Sequence, residues 1–139
     1  MERLFENNQK RTLILLNINN FSYINTAYGF NIGDKILITV SNILKDYFQS
    51  DNLCKINSDE FALIYNSEIS IIDKILEIQD YFMKNSMNIK EIKLNITFSY
   101  GAVYGRNNLL RKAATALKEA KENGKNRFQI FEQNSNNDY

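Results

Sequence analysis

The chain has a short, nearly continuous apolar run at Leu13-Ile14-Leu15-Leu16-Asn17-Ile18. Such an almost unbroken run predicts a strand that is buried on both faces at the centre of a sheet. Residues 20–28 then favour a short helix, with Gly29 as its C-terminal stop. Asn31 opens a longer predicted helix, because apolar residues recur at helical spacing from there to residue 48.

The middle of the chain predicts a hairpin, a helix and a strand in that order. Residues 53–57 and 61–65 are short strand-like runs on either side of a tight polar turn, which is typical of a hairpin. Apolar residues between positions 71 and 82 have the spacing of an amphipathic helix. Apolar and polar residues then alternate over residues 92–102, which predicts one long strand with a single buried face.

A further helix over residues 109–122, ended by Gly124, and a last strand over residues 127–131 complete the pattern. The predicted order β-α-α-β-β-α-β-α-β favours an α/β (α+β) fold with a mainly antiparallel central sheet of about five strands and helices on its faces. A doubly wound parallel sheet fits less well, because no glycine-rich phosphate loop follows the first strand. We expect one domain over residues 11–131, preceded by a partial N-terminal helix over residues 1–10 and followed by a polar tail or linker over residues 132–139.

Composition narrows the chemistry that this domain can perform. The 139 residues have a net charge of +1, which gives no electrostatic reason to expect nucleic acid or membrane contact. Histidine is absent, so histidine-based acid–base catalysis, histidine metal sites and Ser-His-Asp triads are excluded. The single Cys54 cannot form an internal disulfide, and no apolar stretch is long enough to span a bilayer. We therefore expect a cytoplasmic domain, whose parent protein could still be membrane-anchored.

Three separated segments carry an informative combination of residues. Residues 15–29 read LLNINNFSYINTAYG and are followed by Gly33-Asp34, and the predicted hairpin tip reads Asn57-Ser58-Asp59-Glu60-Phe61. Residues 97–101 read TFSYG, and residues 120–126 read AKENGKN. In this order and on these elements, the segments resemble the GGDEF family of cyclic di-GMP synthases. The resemblance implies a fold similar to the palm of nucleotidyl cyclases.

The resemblance also implies a reaction and a set of metal ligands. In the family, two domains face each other as a homodimer, each holding one GTP, and Mg²⁺ neutralises the phosphates. Asp59 and Glu60 keep the two catalytic carboxylates of the hairpin, but Asn17 stands where a carboxylate ends the first strand. The implied metal ligands are therefore Asp59, the substituted and weaker Asn17, and the backbone carbonyl of Ile18. Because an amide contributes no net charge, we expect an impaired Mg²⁺ site.

The hairpin tip carries a second departure from the family. Asn57 and Ser58 replace two glycines, which allow positive φ and a close approach of the nucleotide. We expect both side chains to intrude on that space, and Ser58 to tolerate a left-handed backbone less well than Asn57. With two losses at one site, we expect ordinary turnover to be absent.

The residues that bind the nucleotide in the family are better preserved in this sequence than its metal ligands. The implied nucleotide-binding residues are Asn25, Asp34, Lys121, Lys125, Asn20 and Phe21. An Asn and a carboxylate together can satisfy the polar edge of guanine, while lysines and backbone amides can hold phosphates. The alternative interpretation is that Asp34 favours the start of its helix and that the lysines suit the end of theirs.

The inhibitory motif of the family is also altered. The family has Arg-x-x-Asp before the hairpin strand, and Phe48 replaces the arginine while Asp51 remains. Without a guanidinium to contact guanine, tight product binding is not expected there. Asp51 is better explained as a turn residue.

The sequence favours a degenerate GGDEF signalling domain that binds GTP as a regulatory module, attached to sensory, receiver or EAL domains of a longer parent. The alternatives are a weakly active diguanylate cyclase, which converts two GTP to cyclic di-GMP, and a nucleotide-free protein-interaction scaffold. Similar sheets occur in polymerase palms and RNA-binding modules. The near-neutral charge and Asn17 argue against both.

Overall fold

The computed structural model describes residues 9–124 and 127–132. Its strands are β1 (Arg11–Ile18), β2 (Asn52–Asn57), β3 (Glu60–Tyr65), β4 (Met87–Ile89), β5 (Ile92–Leu94), β6 (Phe98–Gly105) and β7 (Phe128–Ile130). Its helices are α1 (Phe21–Tyr28), α2 (Phe30–Tyr47), α3 (Ile71–Lys84) and α4 (Leu109–Glu122). The predicted N-terminal helix falls mostly on residues 1–8, and the predicted tail falls mostly on residues 133–139. Both of these segments lie outside the described residues.

The main sheet has five strands in the order β2-β3-β1-β6-β7. Strand β1 lies at its centre and pairs in antiparallel fashion with β3 and β6, while β7 joins β6 in parallel. The predicted α+β fold with a mainly antiparallel sheet of five strands is therefore confirmed.

Strand β1 is buried on both faces, as its apolar run predicts, because helices cover both sides of the sheet. Ile14, Leu16 and Ile18 belong to one hydrophobic core, which also contains residues of α2 and α3. Leu13 and Leu15 belong to a second core beneath α4. The continuous run thus supplies alternate residues to two separate cores.

Gly101 explains how α4 packs so closely on β6. A Cβ atom at Gly101 would lie 2.3 Å from the backbone oxygen of Ala113 and 2.3 Å from the backbone nitrogen of Leu117. No side chain fits in that space, so glycine is required by the close approach of the helix rather than by a turn. The contact fixes α4, and with it Lys121 in its last turn, relative to the sheet.

The prediction of one long strand over residues 92–102 is wrong. Residues 92–94 instead form β5, which pairs with β4 in a small separate hairpin. Its two-residue turn contains Lys90 at φ 49° and Glu91 at φ 70°. Hairpin turns with positive φ usually contain Asn or Gly, so this turn gives no sequence signal. Within the described part of the chain, none of the helices is long and apolar enough to cross a membrane.

Candidate functional site

A cleft of about 200 Å³ lies where β1 ends, between the β2–β3 hairpin and the last turn of α4. It is lined by Asn17, Ile18, Asn19, Asn20, Phe21, Ser22, Asp59 and Lys121. The structure therefore brings together six residues that the sequence predicts to be functional. They are Asn17, Ile18, Asn20, Phe21, Asp59 and Lys121.

Two backbone hydrogen bonds hold the end of β1 between its neighbours. The amide of Ile18 donates to the carbonyl of Asp59 at 2.9 Å, and the amide of Asn19 donates to the carbonyl of Thr97 at 2.9 Å. Asn20 then adopts a left-handed conformation, with φ 60° and ψ 29°, and begins α1. Asparagine tolerates this conformation better than most residues, so the strand can turn directly into the helix at the cleft.

Two asparagines occupy the end of β1, and one of them, Asn17, stands where the family has a carboxylate. The side-chain amide of Asn17 donates to the backbone oxygen of Asp59 at 3.4 Å. Asn19 uses both ends of its side chain, because Nδ2 donates to Thr97 Oγ1 at 2.9 Å and Oδ1 accepts from Ser99 Oγ at 2.8 Å. Both asparagines are nearly buried, each with 7% exposure, so these bonds satisfy groups that water barely reaches.

The charged groups of the site come from the hairpin and from α4. Asp59 and Lys121 line the cleft, and Glu60 is the neighbour of Asp59 at the start of β3. Burial raises the pKa of Glu60, and the nearby Asp59 raises it further, while Lys121 and a hydrogen bond from Asn57 lower it. Lys121, which lines the cleft, therefore interacts electrostatically with Glu60, the neighbour of Asp59. Phe61, the last residue of the hairpin motif, is instead a core residue with 1% exposure.

The hairpin tip differs from the sequence expectation in its backbone. Asn57 and Ser58 are both exposed. Among the described residues other than glycine, a positive φ occurs only at Asn20, Lys90, Glu91 and Asn108. The expected left-handed strain at Asn57 and Ser58 is therefore absent. A register shift between Lys55 and Asn57 accommodates the turn. The substitutions at the tip are therefore not accompanied by left-handed backbone strain.

The two predicted guanine-binding residues lie on α1 and α2 rather than among the residues lining the cleft. Asn25 packs against Gly33, where a Cβ atom would clash with the Asn25 side-chain oxygen. That oxygen is buried and has no hydrogen-bond partner among the described residues. Asp34 follows Gly33, is exposed, and lies beyond the first turn of α2, which begins at Phe30. A role for Asp34 in capping α2 therefore has little support, whereas Lys121 does lie in the last turn of α4.

The predicted inhibitory position has become part of the core. Phe48 has 5% exposure and packs edge-to-face on Tyr81, with 5.7 Å between the ring centroids. Asp51 accepts a hydrogen bond from the backbone amide of Asn66 at 2.6 Å. This contact supports the interpretation of Asp51 as a structural turn residue.

One predicted site residue lies outside the described part of the chain, and three residues at or near the cleft have roles that were not predicted. Lys125 lies outside the described residues. Ser22 lines the cleft, and Thr97 and Ser99 orient Asn19, although nothing in the sequence pattern predicts these roles. The signal for Ser99 was weak, because a buried serine in an alternating strand looks like a solvent-facing residue.

The side chains of the cleft do not fit the two-carboxylate magnesium cradle of the family chemistry. Among the described residues, no three acidic or thiol side chains converge to hold a metal ion. Asp59 is the carboxylate that lines the cleft, and the position facing it is the amide of Asn17. Mg²⁺ needs charged oxygen ligands in near-octahedral geometry, and this donor set offers a single charge.

The chain is similar to solved structures of diguanylate cyclases and GGDEF domains. A crystal structure of a diguanylate cyclase/phosphodiesterase from Caldicellulosiruptor saccharolyticus is 30% identical, with a TM-score of 0.78 over 86% of this chain and 74% of that chain. The GGDEF domain of DgcB from Caulobacter crescentus, solved in complex with c-di-GMP, has a TM-score of 0.80 and 21% identity over 95% of this chain and 84% of that chain. At that identity, the likeness shows the fold alone.

Curated relatives are longer than this chain. Diguanylate cyclase A of Treponema denticola is 26% identical over 138 residues, which are 93% of this chain and 37% of that protein. The uncharacterised protein YtrP of Bacillus subtilis is 29% identical over 89% of this chain and 22% of its own length. The chain thus spans about a fifth to just over a third of these relatives. Since the family model described as "Diguanylate cyclase, GGDEF domain" matches residues 1–127, the chain belongs to the GGDEF domain family of the cyclic di-GMP system.

Proposed function

We propose that this domain binds GTP without converting it and acts as a regulatory module within a longer signalling protein. The observation that carries the proposal is the composition of the cleft: it combines Lys121 and the start of α1 with amides in place of carboxylates. Phosphate recognition needs donors and positive charge, which are present. Turnover in the family needs carboxylates that hold Mg²⁺, and the strand end supplies none.

The phosphate end of the proposed site rests on the geometry of α1. Asn20 precedes the helix in a left-handed conformation and makes no side-chain capping bond to it, and the described first turn contains no acidic residue. The first backbone amides of a helix lack partners within the helix and attract anions. Lys121 lines the same cleft and adds a cation on its opposite wall.

The guanine end rests on Asn25 and Asp34. Guanine presents a carbonyl oxygen together with imino and amino donors, so it needs both a donor and acceptors from the protein. The side-chain amide of Asn25 offers a donor for the guanine carbonyl, and Asp34, an exposed carboxylate next to Gly33, offers acceptors for the imino and amino groups. Adenine has the opposite arrangement on its edge, so the same pair predicts preference for GTP over ATP.

The proposal is tested by calorimetric titration of the domain with GTP, with and without Mg²⁺, and with ATP as the control ligand. We expect micromolar GTP affinity that changes little when Mg²⁺ is removed. Asp34→Ala should weaken GTP binding by about tenfold, which corresponds to one charged hydrogen bond. Asp46→Ala is a matched control, because Asp46 is an exposed carboxylate at the far end of the same helix.

A second pair of variants tests the phosphate end. Lys121→Ala should weaken GTP binding, whereas Lys118→Ala, an exposed lysine on the same helix, should not. Absence of GTP binding at millimolar concentration would reject the proposal and favour the nucleotide-free scaffold. Equal affinity for ATP would reject the guanine assignment alone.

A weak diguanylate cyclase is the second candidate, and the environment of Glu60 favours it. Its raised pKa is a feature of a carboxyl group that can accept a proton, although the charge of Lys121 opposes that shift. Cyclic di-GMP formed by enforced dimers at high Mg²⁺, and lost in Glu60→Gln, would support this candidate. No product under those conditions would leave the non-catalytic module.

A further inference from the structure

Gly33 lies inside a helix, where glycine is normally unfavourable. It is the fourth residue of α2. Glycine is one of the least favourable residues in a helix, since it loses more backbone freedom there than alanine does. The backbone at Gly33 does not require glycine, because positive φ among the described glycines occurs at Gly29 and Gly124. The reason for a glycine at position 33 must therefore lie in the atoms that surround it.

The surroundings of Gly33 leave no room for a Cβ atom. Such an atom would overlap with Oδ1 of Asn25, which lies on α1, and it would be 3.0 Å from Cγ of the same residue. It would also be 3.3 Å from Cζ of Phe21, a residue that lines the cleft at the end of β1. These atoms all belong to side chains, whereas the atoms that crowd Gly101 belong to the backbone of α4. An alanine at position 33 would therefore displace the Asn25 amide rather than the helices.

The contact with Gly33 also determines which end of the Asn25 amide can face a ligand. Oδ1 is buried on the Gly33 side and has no hydrogen-bond partner among the described residues, while Asn25 as a whole is half-buried. The two ends of a side-chain amide diverge from Cγ, so an inward Oδ1 turns the donor Nδ2 away from Gly33. A donor is the group that a base with a carbonyl oxygen at its edge requires.

We propose that Gly33 is a positioning residue for base recognition. Because it lacks a Cβ atom, Oδ1 of Asn25 turns inward, and Nδ2 is held as the donor for a purine that carries a carbonyl group. The role in base recognition rests on the proposed GTP function, whereas the contact between Gly33 and Asn25 is a property of the free domain. The contact and its effect on binding can therefore be tested separately.

The contact is tested first by thermal unfolding without nucleotide, on the wild type, Gly33→Ala, Asn25→Ala and the double variant. With Asn25 present, the added methyl group has to displace its amide. In the Asn25→Ala background the space is free, and alanine gains its normal advantage in a helix. We therefore expect the change in Tm on Gly33→Ala to be several degrees more favourable in that background. Gly105→Ala is the control, because the nearest atom to a Cβ atom there is Cδ2 of Leu109 at 3.5 Å, and its effect should be equal in both backgrounds.

The effect on base recognition is then measured by titrating the same variants with different nucleotides. GTP and inosine triphosphate carry the carbonyl group that the Asn25 donor is proposed to contact, whereas the triphosphate of 2-aminopurine riboside lacks it. Gly33→Ala should weaken binding of GTP and inosine triphosphate by about three- to tenfold, as should Asn25→Ala, because each removes one neutral hydrogen bond. The double variant should lose no more than either single variant. Binding of the 2-aminopurine nucleotide should stay the same in all of them.

Coupled changes in Tm, together with a selective loss of the two nucleotides that carry the carbonyl group, support the proposal. An equal change in Tm on Gly33→Ala in both backgrounds overturns it, since the glycine would then not act through Asn25. Equal weakening of all the nucleotides also overturns it, because that result indicates a general disturbance of the site. If the wild type binds no GTP, the proposed function fails and the role in base recognition fails with it. The Tm comparison uses no nucleotide, so failure of the contact is distinguished from failure of the GTP function.

Discussion

The cleft at the end of β1 and the turn before β2 both depart from the family motif, but with different structural results. At the cleft, Asn17 replaces a carboxylate and remains a polar residue that lines an open space. Before β2, Phe48 replaces an arginine and packs within the main hydrophobic core. The first position keeps a polar side chain in an open cleft, while the second position carries a ring that belongs to the core.

The difference shows which functions each region can retain. A cleft that has lost a negative charge still offers donors, acceptors and a lysine, which are the groups that the proposed binding of a nucleotide without reaction requires. A position that has become an aromatic core residue has no exposed polar group to offer, and its remaining partner Asp51 is engaged with the backbone of Asn66. We therefore expect regulation by GTP at the cleft and no product inhibition before β2.

The largest effect is expected from Phe48→Arg, which tests whether the inhibitory position is closed. Reintroducing the family arginine removes a buried ring and places a charge beside Tyr81, which should lower the free energy of unfolding by about 3 kcal/mol. Urea denaturation measures this change. Gln49→Arg is the control at the adjacent exposed position, and it should change the free energy of unfolding by less than about 0.5 kcal/mol.

A stable Phe48→Arg variant that binds cyclic di-GMP would contradict the stated difference between the cleft and the turn before β2. It would show that the arginine had been lost from a site that is otherwise intact. We expect no binding, because the ring of Phe48 lies within the core and the arginine would have to displace it before reaching a ligand.

A smaller effect is expected from Asn17→Asp, which tests whether the cleft has lost only charge. The variant removes the donor that faces the Asp59 carbonyl and places a carboxylate near Asp59, so without Mg²⁺ it should lose about 1–2 kcal/mol of stability. Mg²⁺ should restore much of that stability, because it binds the folded state of a site with two carboxylates. Thermal unfolding against Mg²⁺ concentration measures the effect, with Asn52→Asp as an exposed control.

Indifference of Asn17→Asp to Mg²⁺ would count against this account of the cleft. In that case the hairpin tip, with the side chains of Asn57 and Ser58, would be the stronger obstacle to metal binding. The missing charge at the end of β1 would then not be the main reason for impaired metal binding.

Much of the fold could be predicted because the sequence determines it locally. The apolar run of β1, the stop at Gly29 and the period of α4 each depend on residues close together in the chain. The β4–β5 hairpin could not be predicted, since Lys90 and Glu91 adopt positive φ without the residues that normally signal it. The alternation that suggested one strand continues through Ile96, which is buried although it lies between strands.

The site could be predicted only where a family motif names the residue. Asn17, Asp59 and Lys121 converge as the motifs indicate, because they lie at the ends of elements that meet at one edge. The bonds of Asn19 to Thr97 and Ser99 connect residues that are 78 and 80 positions apart, and they depend on the pairing of β1 with β6. No local pattern in the sequence contains that pairing.

The smallest effect is expected from Glu60 and concerns the electrostatics of the cleft. Because its pKa in the folded state is raised above the ordinary value of 4.5, the folded protein binds this proton more tightly than the unfolded chain. Ionisation of Glu60 therefore costs stability, and the cost appears as pH rises through the window above 4.5. Glu60→Gln should gain less than about 1 kcal/mol over the wild type at pH 7 and nothing at pH 4, since the partly exposed carboxyl is screened by solvent.

A variant at Lys121 tests these electrostatics more directly, because the positive charge of Lys121 lowers the pKa of Glu60. Lys121→Ala should raise that pKa further, as followed by NMR titration of the ¹³C-labelled carboxyl group, while Lys118→Ala should leave it unchanged. If neither lysine variant moved the titration of Glu60, Lys121 would not face the cleft closely enough to bind a phosphate. A rise in Lys121→Ala alone would show that the charge of Lys121, which lines the cleft, reaches the carboxyl group beside Asp59 and is directed toward the hairpin.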